Sequence, residues 1–170
     1  AGRRLPMPPS ERAEFEELMA QLDYSLFIVT VAAGGERSGC LVGFASQVSI
    51  RPSRFLICLS VKNRTFEVAQ RASVVAVHFV PQQAEELAVL FGGQTGDETD
   101  KFARCDWRDG PDGTPVLTSL QDWFAGRILE RRDFGDHWGL LLEPIDGEAH
   151  RSGSPLTFRR AKWIEPGHEP

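Results

Sequence analysis

The sequence predicts a mainly β protein, a closed or partly closed antiparallel barrel with a few peripheral helices. Three observations carry this expectation. About seven short segments rich in β-branched and aromatic residues are set off by Gly, Pro and Asp turns. Strands and helices do not alternate regularly, which argues against a doubly wound parallel sheet. No Gly-x-Gly-x-x-Gly follows a strand, so a Rossmann dinucleotide site is not indicated.

Taken in order, Pro8-Pro9-Ser10 with Glu11 and Glu14 reads as a helix start, and Phe15, Leu18, Met19 and Leu22 then recur at helical spacing. Leu26 to Ala32 is a strand that stops at the turn Gly34-Gly35, with a hairpin return over 39–49. Phe55 to Val61 is a further strand, Phe66 to Arg71 a brief helix and Val74 to Val80 another strand. Ala84, Leu87, Ala88 and Phe91 restore helical spacing between Gln82 and Phe91, and Gly92-Gly93 ends it. From Gln94 to Thr118 the chain is rich in Gly, Asp, Thr and Pro and reads as a long surface excursion anchored by Lys101-Phe102-Ala103. Trp123 to Glu130, His137 to Pro144 and Leu156 to Ile164 supply three more strand candidates.

At 170 residues the chain is long enough for one core that buries roughly two-thirds of its unfolded surface. Apolar residues make up 41% and charged residues 25%, an ordinary globular balance, and no apolar run approaches the roughly 20 residues that span a bilayer. The opening Ala1 to Pro9 has two arginines but no apolar run behind them, so it reads as a lead and not a signal peptide. A net charge of -5 offers no basic stripe for nucleic acid, and the Arg-Arg pairs at 131 and 159 read as solvated strand surface. Cys40, Cys58 and Cys105 are odd in number and lack Cys-x-x-Cys spacing, as expected of a reducing, cytoplasmic setting. The four histidines show no ligand spacing, and the acidic run Asp97-Glu98-Thr99-Asp100 lacks the alternation of a calcium loop, so no metal site is expected.

The richest stretch runs from Gly39 to Thr65, where two apolar strands end in Ser60-Val61-Lys62-Asn63-Arg64-Thr65 at a helix start. Free N–H groups and a positive helix end favour a phosphate there, to which Lys62, Arg64 and Thr65 add charge and hydrogen bonds. The same residues also make an ordinary capped helix with two solvated cations, and the local sequence alone leaves both readings standing.

With these elements in order, the chain resembles the flavin reductase family. The resemblance covers residues from about Leu22 to about Ile164 and is carried by Phe27-Ile28-Val29-Thr30, by Gly39 leading to Ser46-Gln47-Val48-Ser49-Ile50-Arg51-Pro52, and by Lys62-Asn63-Arg64-Thr65. Ala88-Val89-Leu90-Phe91, Asp100-Lys101-Phe102 and Gly135-Asp136-His137 follow in the same order. It implies an FMN-binding split β-barrel, antiparallel and Greek-key-like, over residues 22–164, with a lead and helix at 1–21 and a tail at 165–170. It implies a flavin ring along Val42, Gly43, Phe44, Ala45, Ser46 and Gln47. The phosphate of FMN, or the first phosphate of FAD, falls on Ser60, Lys62, Asn63, Arg64 and Thr65. Phe102 matches an aromatic position near the cofactor, and its other reading is a core anchor for a loop. His137 falls beside the flavin and the nicotinamide, with Asp136 fixing its ring. Where many relatives carry Thr and Ser or Asn, this chain has Leu41, Gly43 and Phe44, so ring contacts are expected to rest on main chain, with Gly43 letting a flat ring approach closely.

The resemblance implies hydride transfer from NADH or NADPH to FMN or FAD, chemistry that belongs to the two cofactors and asks the protein for positioning more than for acid–base groups. It also implies a homodimer and a partner monooxygenase supplied with reduced flavin. Three rivals stand beside it: an FMN-binding electron carrier that barely oxidises nicotinamide, a reductase using a deazaflavin-like cofactor, and a split-barrel oxidase of the pyridoxamine phosphate type, for which the arginine-rich phosphate pattern is not evident.

Overall fold

The computed structural model describes residues 9–93 and 100–164. The lead, the acidic run at 97–99 and the tail lie outside them. Helix α1 spans Pro9–Met19. Strand β1 (Phe27–Ala33) turns at Gly34-Gly35 into β2 (Glu36–Val42), with Ala33 opposite Glu36. Both glycines hold positive φ, +57° and +81°, as a two-residue hairpin turn that follows the strand twist demands.

The return expected over 39–49 is broken. Strand β3 (Ala45–Ser49) starts two residues after β2 but pairs with β4 (Arg54–Ser60) instead of β1. Helix α2 (Arg64–Ala69), β5 (Val74–Phe79), α3 (Glu85–Gly92), β6 (Trp107–Asp109), β7 (Pro115–Leu117), β8 (Trp123–Asp133) and β9 (His137–Glu148) follow. Seven strands form one antiparallel sheet in the order β2-β1-β5-β8-β9-β4-β3. Since β2 and β3 are its two edges and only Gly43 and Phe44 separate them, the sheet must curl until the end of β2 and the start of β3 come together, because the three Cα steps from Val42 to Ala45 reach at most about 11 Å. That closure is the barrel.

Period-two alternation divides β1 between two cores. Phe27, Val29 and Val31 point into the barrel with Val42, Ile57, Leu59, Val75, Val77, Leu140 and Leu142. Ile28 faces outward yet is buried, with Phe91 of α3, Phe102, Leu117 and Leu156 in a second cluster. Each fully buried side chain of this size contributes about 1.5–3 kcal/mol.

Three expectations change. The excursion holds a two-stranded ribbon, β6 paired with β7, too short and too rich in Pro, Gly and Asp to show as strands; Thr30 Oγ1 donates to Pro115 O across it at 2.5 Å. Leu156 to Ile164 is not a strand. It touches the barrel end through single bridges, Ser25 to Thr157 and Pro81 to Pro155, and then coils, with Ala161 N–H donating to Thr157 O. Phe158, Ala161 and Ile164 recur every third residue, a helical and not a strand interval, and all three pack on the outer cluster. Arg131 is not simply solvated: its guanidinium donates to Ala69 O and Ala72 O at 3.1 and 2.5 Å, covering the carbonyl end of α2. The apolar face of α1 (Phe15, Leu18, Met19) and Leu22 beyond it is exposed. Among the described residues no helix is long and apolar enough to cross a membrane.

Candidate flavin site

The seam of the barrel and the end of β4 lie side by side. Cys58 N–H donates to Phe44 O at 2.9 Å, and Ser60 stands opposite His137 in the β4–β9 ladder. Phe44 leaves 55% of its surface exposed, and its ring centroid is 5.1 Å from that of His137 at a 50° tilt. His137 is held in turn by Asp136, whose Oδ1 lies 2.8 Å from Nδ1. A carboxylate only accepts, so Nδ1 carries the proton in the neutral ring and Nε2 is the nitrogen left for a ligand. The hydrogen bond from the His137 ring holds the Asp136 carboxyl below its ordinary pKa, helped by the His137 charge and, more weakly, by Lys62.

Beside this shelf is a polar corner. Val61 N–H donates to Asp136 O (3.0 Å), Lys62 N–H to Ser60 Oγ (3.3 Å) and Asn63 N–H to Ser60 O (3.0 Å). Asn63 caps α2 by accepting from Thr65 N–H at 3.0 Å. At six residues α2 has little dipole of its own, so an anion here depends on side chains and turn N–H groups.

The remaining candidates divide by direction. Val42 is buried in the barrel and Ala45 packs against the same core, so each offers a ligand only its backbone. Ser46 and Gln47 are exposed on β3, with Ser46 Oγ donating to Gln47 O (2.9 Å) and Gln47 Nε2 to Ser49 O (3.2 Å). Thr65 is fully buried and shares a 2.9 Å hydrogen bond with Ser38 Oγ. Arg64 bridges Glu36 (2.5 Å) and Glu67 (2.8 Å), with Arg71 on the other oxygen of Glu36. Phe102 is buried in the outer cluster, edge-on to Phe91 and Trp107. The structure therefore gathers Phe44, Asp136, His137, Ser60, Lys62 and Asn63 on one surface and turns the side chains of Val42, Thr65 and Phe102 inward.

Gly43 has a second occupant at its door. A Cβ there would stand 2.6 Å from Cε2 of Tyr24, so it is the chain's own ring that first requires glycine. Tyr24 was invisible as a site residue in the sequence, since it lies outside every strand and helix and matches no motif.

A closed antiparallel barrel with an aromatic shelf and a polar corner at its seam defines a split-barrel protein suited to a flat ring with an anionic tail. The chain belongs to the flavin reductase like domain family, whose model matches residues 19–164. It is 29% identical over 138 residues to the FMN reductase (NADH) RutF of Ancylobacter novellus, covering 81% of this chain and 76% of that one. It is 28% identical over 153 residues to the 4-hydroxyphenylacetate 3-monooxygenase reductase component of Pseudomonas aeruginosa, covering 89% of each. The crystal structure of a flavin reductase domain protein from Arthrobacter sp. FB24 superposes with a TM-score of 0.79 at 22% identity, covering 88% of this chain and 91% of that one.

Proposed function

We propose that this chain is an NAD(P)H-dependent flavin reductase, taking hydride from NADH or NADPH to FMN or FAD. The observation that supports it best is the half-exposed Phe44 ring beside the Asp136-anchored His137, whose ladder partner Ser60 leads into Lys62 and Asn63. The shelf suits a flat heterocycle, and the corner suits its phosphate. A flavin bound there supplies the hydride-accepting ring. Gly43 to Gln47 line the ring with main chain and small polar groups, while Ser60, Lys62 and Asn63 hold the phosphate. Thr65 and Arg64 stiffen the corner from behind through Ser38, Glu36 and Glu67. Asp136 keeps Nε2 of His137 aimed at the reacting rings, and Phe44 excludes water from one side. No nucleophile or acid–base pair is required, because positioning the two rings in line supplies the acceleration.

The relative named as a monooxygenase reductase component supports a reading in which the reduced flavin made here serves a separate oxygenase. Two copies associate through the barrel mouth where Phe27, Phe79, Trp123, Phe124, Pro81 and Pro155 line an open apolar recess of about 660 Å³. The Ile50 to Ser53 turn, led by the exposed Ile50, adjoins that recess through Phe55, whose ring meets Phe27 and Phe124 at 5.7 and 5.3 Å. A ridge beside a recess on one face is what a two-fold contact needs.

The test of function is a steady-state assay of purified protein with each flavin and each reduced nicotinamide. Flavin-dependent loss of reduced nicotinamide absorbance is expected. Tight flavin retention without turnover would mark an electron carrier instead.

A further inference from the structure

Tyr24 is the chain's one tyrosine, and it occupies the seam without belonging to the sheet. On one side it stacks on Phe158, centroids 5.0 Å apart and planes within 14°, while its carbonyl accepts from Phe158 N–H at 2.9 Å. On the other it fills the space a Cβ of Gly43 would take, and its ring lies 6.3 Å from that of Phe44. Gly43 and Phe44 are the whole crossover between the sheet edges, so the backbone there rests on the tyrosine ring as on a stop. Phe44 itself is half exposed, and the rings that meet it are Tyr24 and His137.

We propose that Tyr24 is a positioning residue for flavin: by setting the height of the crossover, it fixes the Phe44 ring against His137 and so the slot for the flat heterocycle. The inference deepens the reductase reading and rests on it. Tyr24 touches no reacting atom in this scheme. It acts through Gly43 and Phe44, and its loss lets the phenylalanine sink toward Phe158, away from the imidazole.

Riboflavin carries the ring without the phosphate, which separates shelf from corner. Dissociation constants for FMN and riboflavin are read from flavin fluorescence quenching in wild type, Tyr24→Phe, Tyr24→Leu and Lys62→Ala, each checked for folding by thermal melting. Tyr24→Phe keeps the ring and stays within about twofold of wild type. Tyr24→Leu weakens both flavins by the same factor, up to about tenfold, the scale of one lost aromatic contact. Lys62→Ala weakens FMN alone. Gly43→Ala, which drives a methyl into Tyr24, weakens both flavins, and adding Tyr24→Leu restores part of the loss. Unchanged riboflavin affinity in folded Tyr24→Leu, or a double variant no better than Gly43→Ala, overturns the inference while leaving the reductase reading in place. Wild-type protein that binds neither flavin removes both.

Discussion

Lys101 donates from Nζ to the carbonyl of Phe91 at 3.0 Å, and so closes the last turn of α3 with a buried cation. The same ammonium reaches Gly39 O on the edge strand β2 at 3.1 Å, and Lys101 is only 5% exposed. Helix C-termini favour cations and edge strands need cover, and here one side chain meets both demands. Lys101→Met removes the donor and leaves two buried carbonyls without it. A loss of about 2–4 kcal/mol in urea unfolding is expected, and a loss under ~0.5 kcal/mol would show that the clamp is idle.

His137→Ala is expected to slow flavin reduction by about a hundredfold, the lower end for loss of one preorganised polar group at a reacting centre, while flavin affinity shifts far less. Stopped-flow reduction at saturating nicotinamide measures the first, and fluorescence titration the second. Asp136→Asn keeps an acceptor oxygen beside Nδ1 and is expected to cost only a few-fold. Wild-type reduction rates in His137→Ala would take the imidazole out of the mechanism.

Stability depends on pH through His78. Its ring is fully buried, Nδ1–H donates to Ile28 O (2.9 Å) and Nε2 accepts from Leu117 N–H (3.0 Å), an arrangement that only the neutral ring makes. Burial lowers its pKa from 6.5 to about 4. The unfolded chain therefore binds the extra proton first, and stability is full above pH 6.5 and falls as pH drops toward 4. At about 1.4 kcal/mol per pH unit the loss reaches roughly 3 kcal/mol. Urea titrations across this range are expected to show that slope, flattened in His78→Gln; equal slopes would refute the assignment.

The apolar mouth makes a separate claim about assembly. Phe79→Asp, placed in the recess, is expected to halve the mass measured by light scattering after gel filtration, whereas Leu129→Asp, at an exposed site on β8, leaves it unchanged. A monomeric wild type, or a dimer that survives Phe79→Asp, would dismiss this face.

Much of the barrel was legible because buried strands leave short apolar runs in the sequence, continuous where both faces are covered as in β1 and β5: β1, β4, β5, β8 and β9 all fall within a few residues of such runs. The switch of edges at Gly43 was not, since a chain that changes pairing partner keeps the same residue types on either side of the change. Ser60, Lys62 and Asn63 were readable as polar residues at a helix start. That Thr65 turns inward to Ser38, and that Arg64 answers to Glu36, depended on pairings 27 and 28 residues distant. Lys101 was readable as part of a loop anchor but not as a clamp on α3 and β2, and Tyr24 did not show, for a related reason: each role is defined by what a distant segment brings to it, and neither residue stands in a repeating pattern.

The two-residue crossover also limits how this scaffold can change. Sites built on loops diversify by lengthening the loop, but an insertion between Val42 and Ala45 would part the very edges that close the barrel. New ring preferences in such a chain have to come from exchanging side chains at 24, 44 and 158, with the main chain left at its present length.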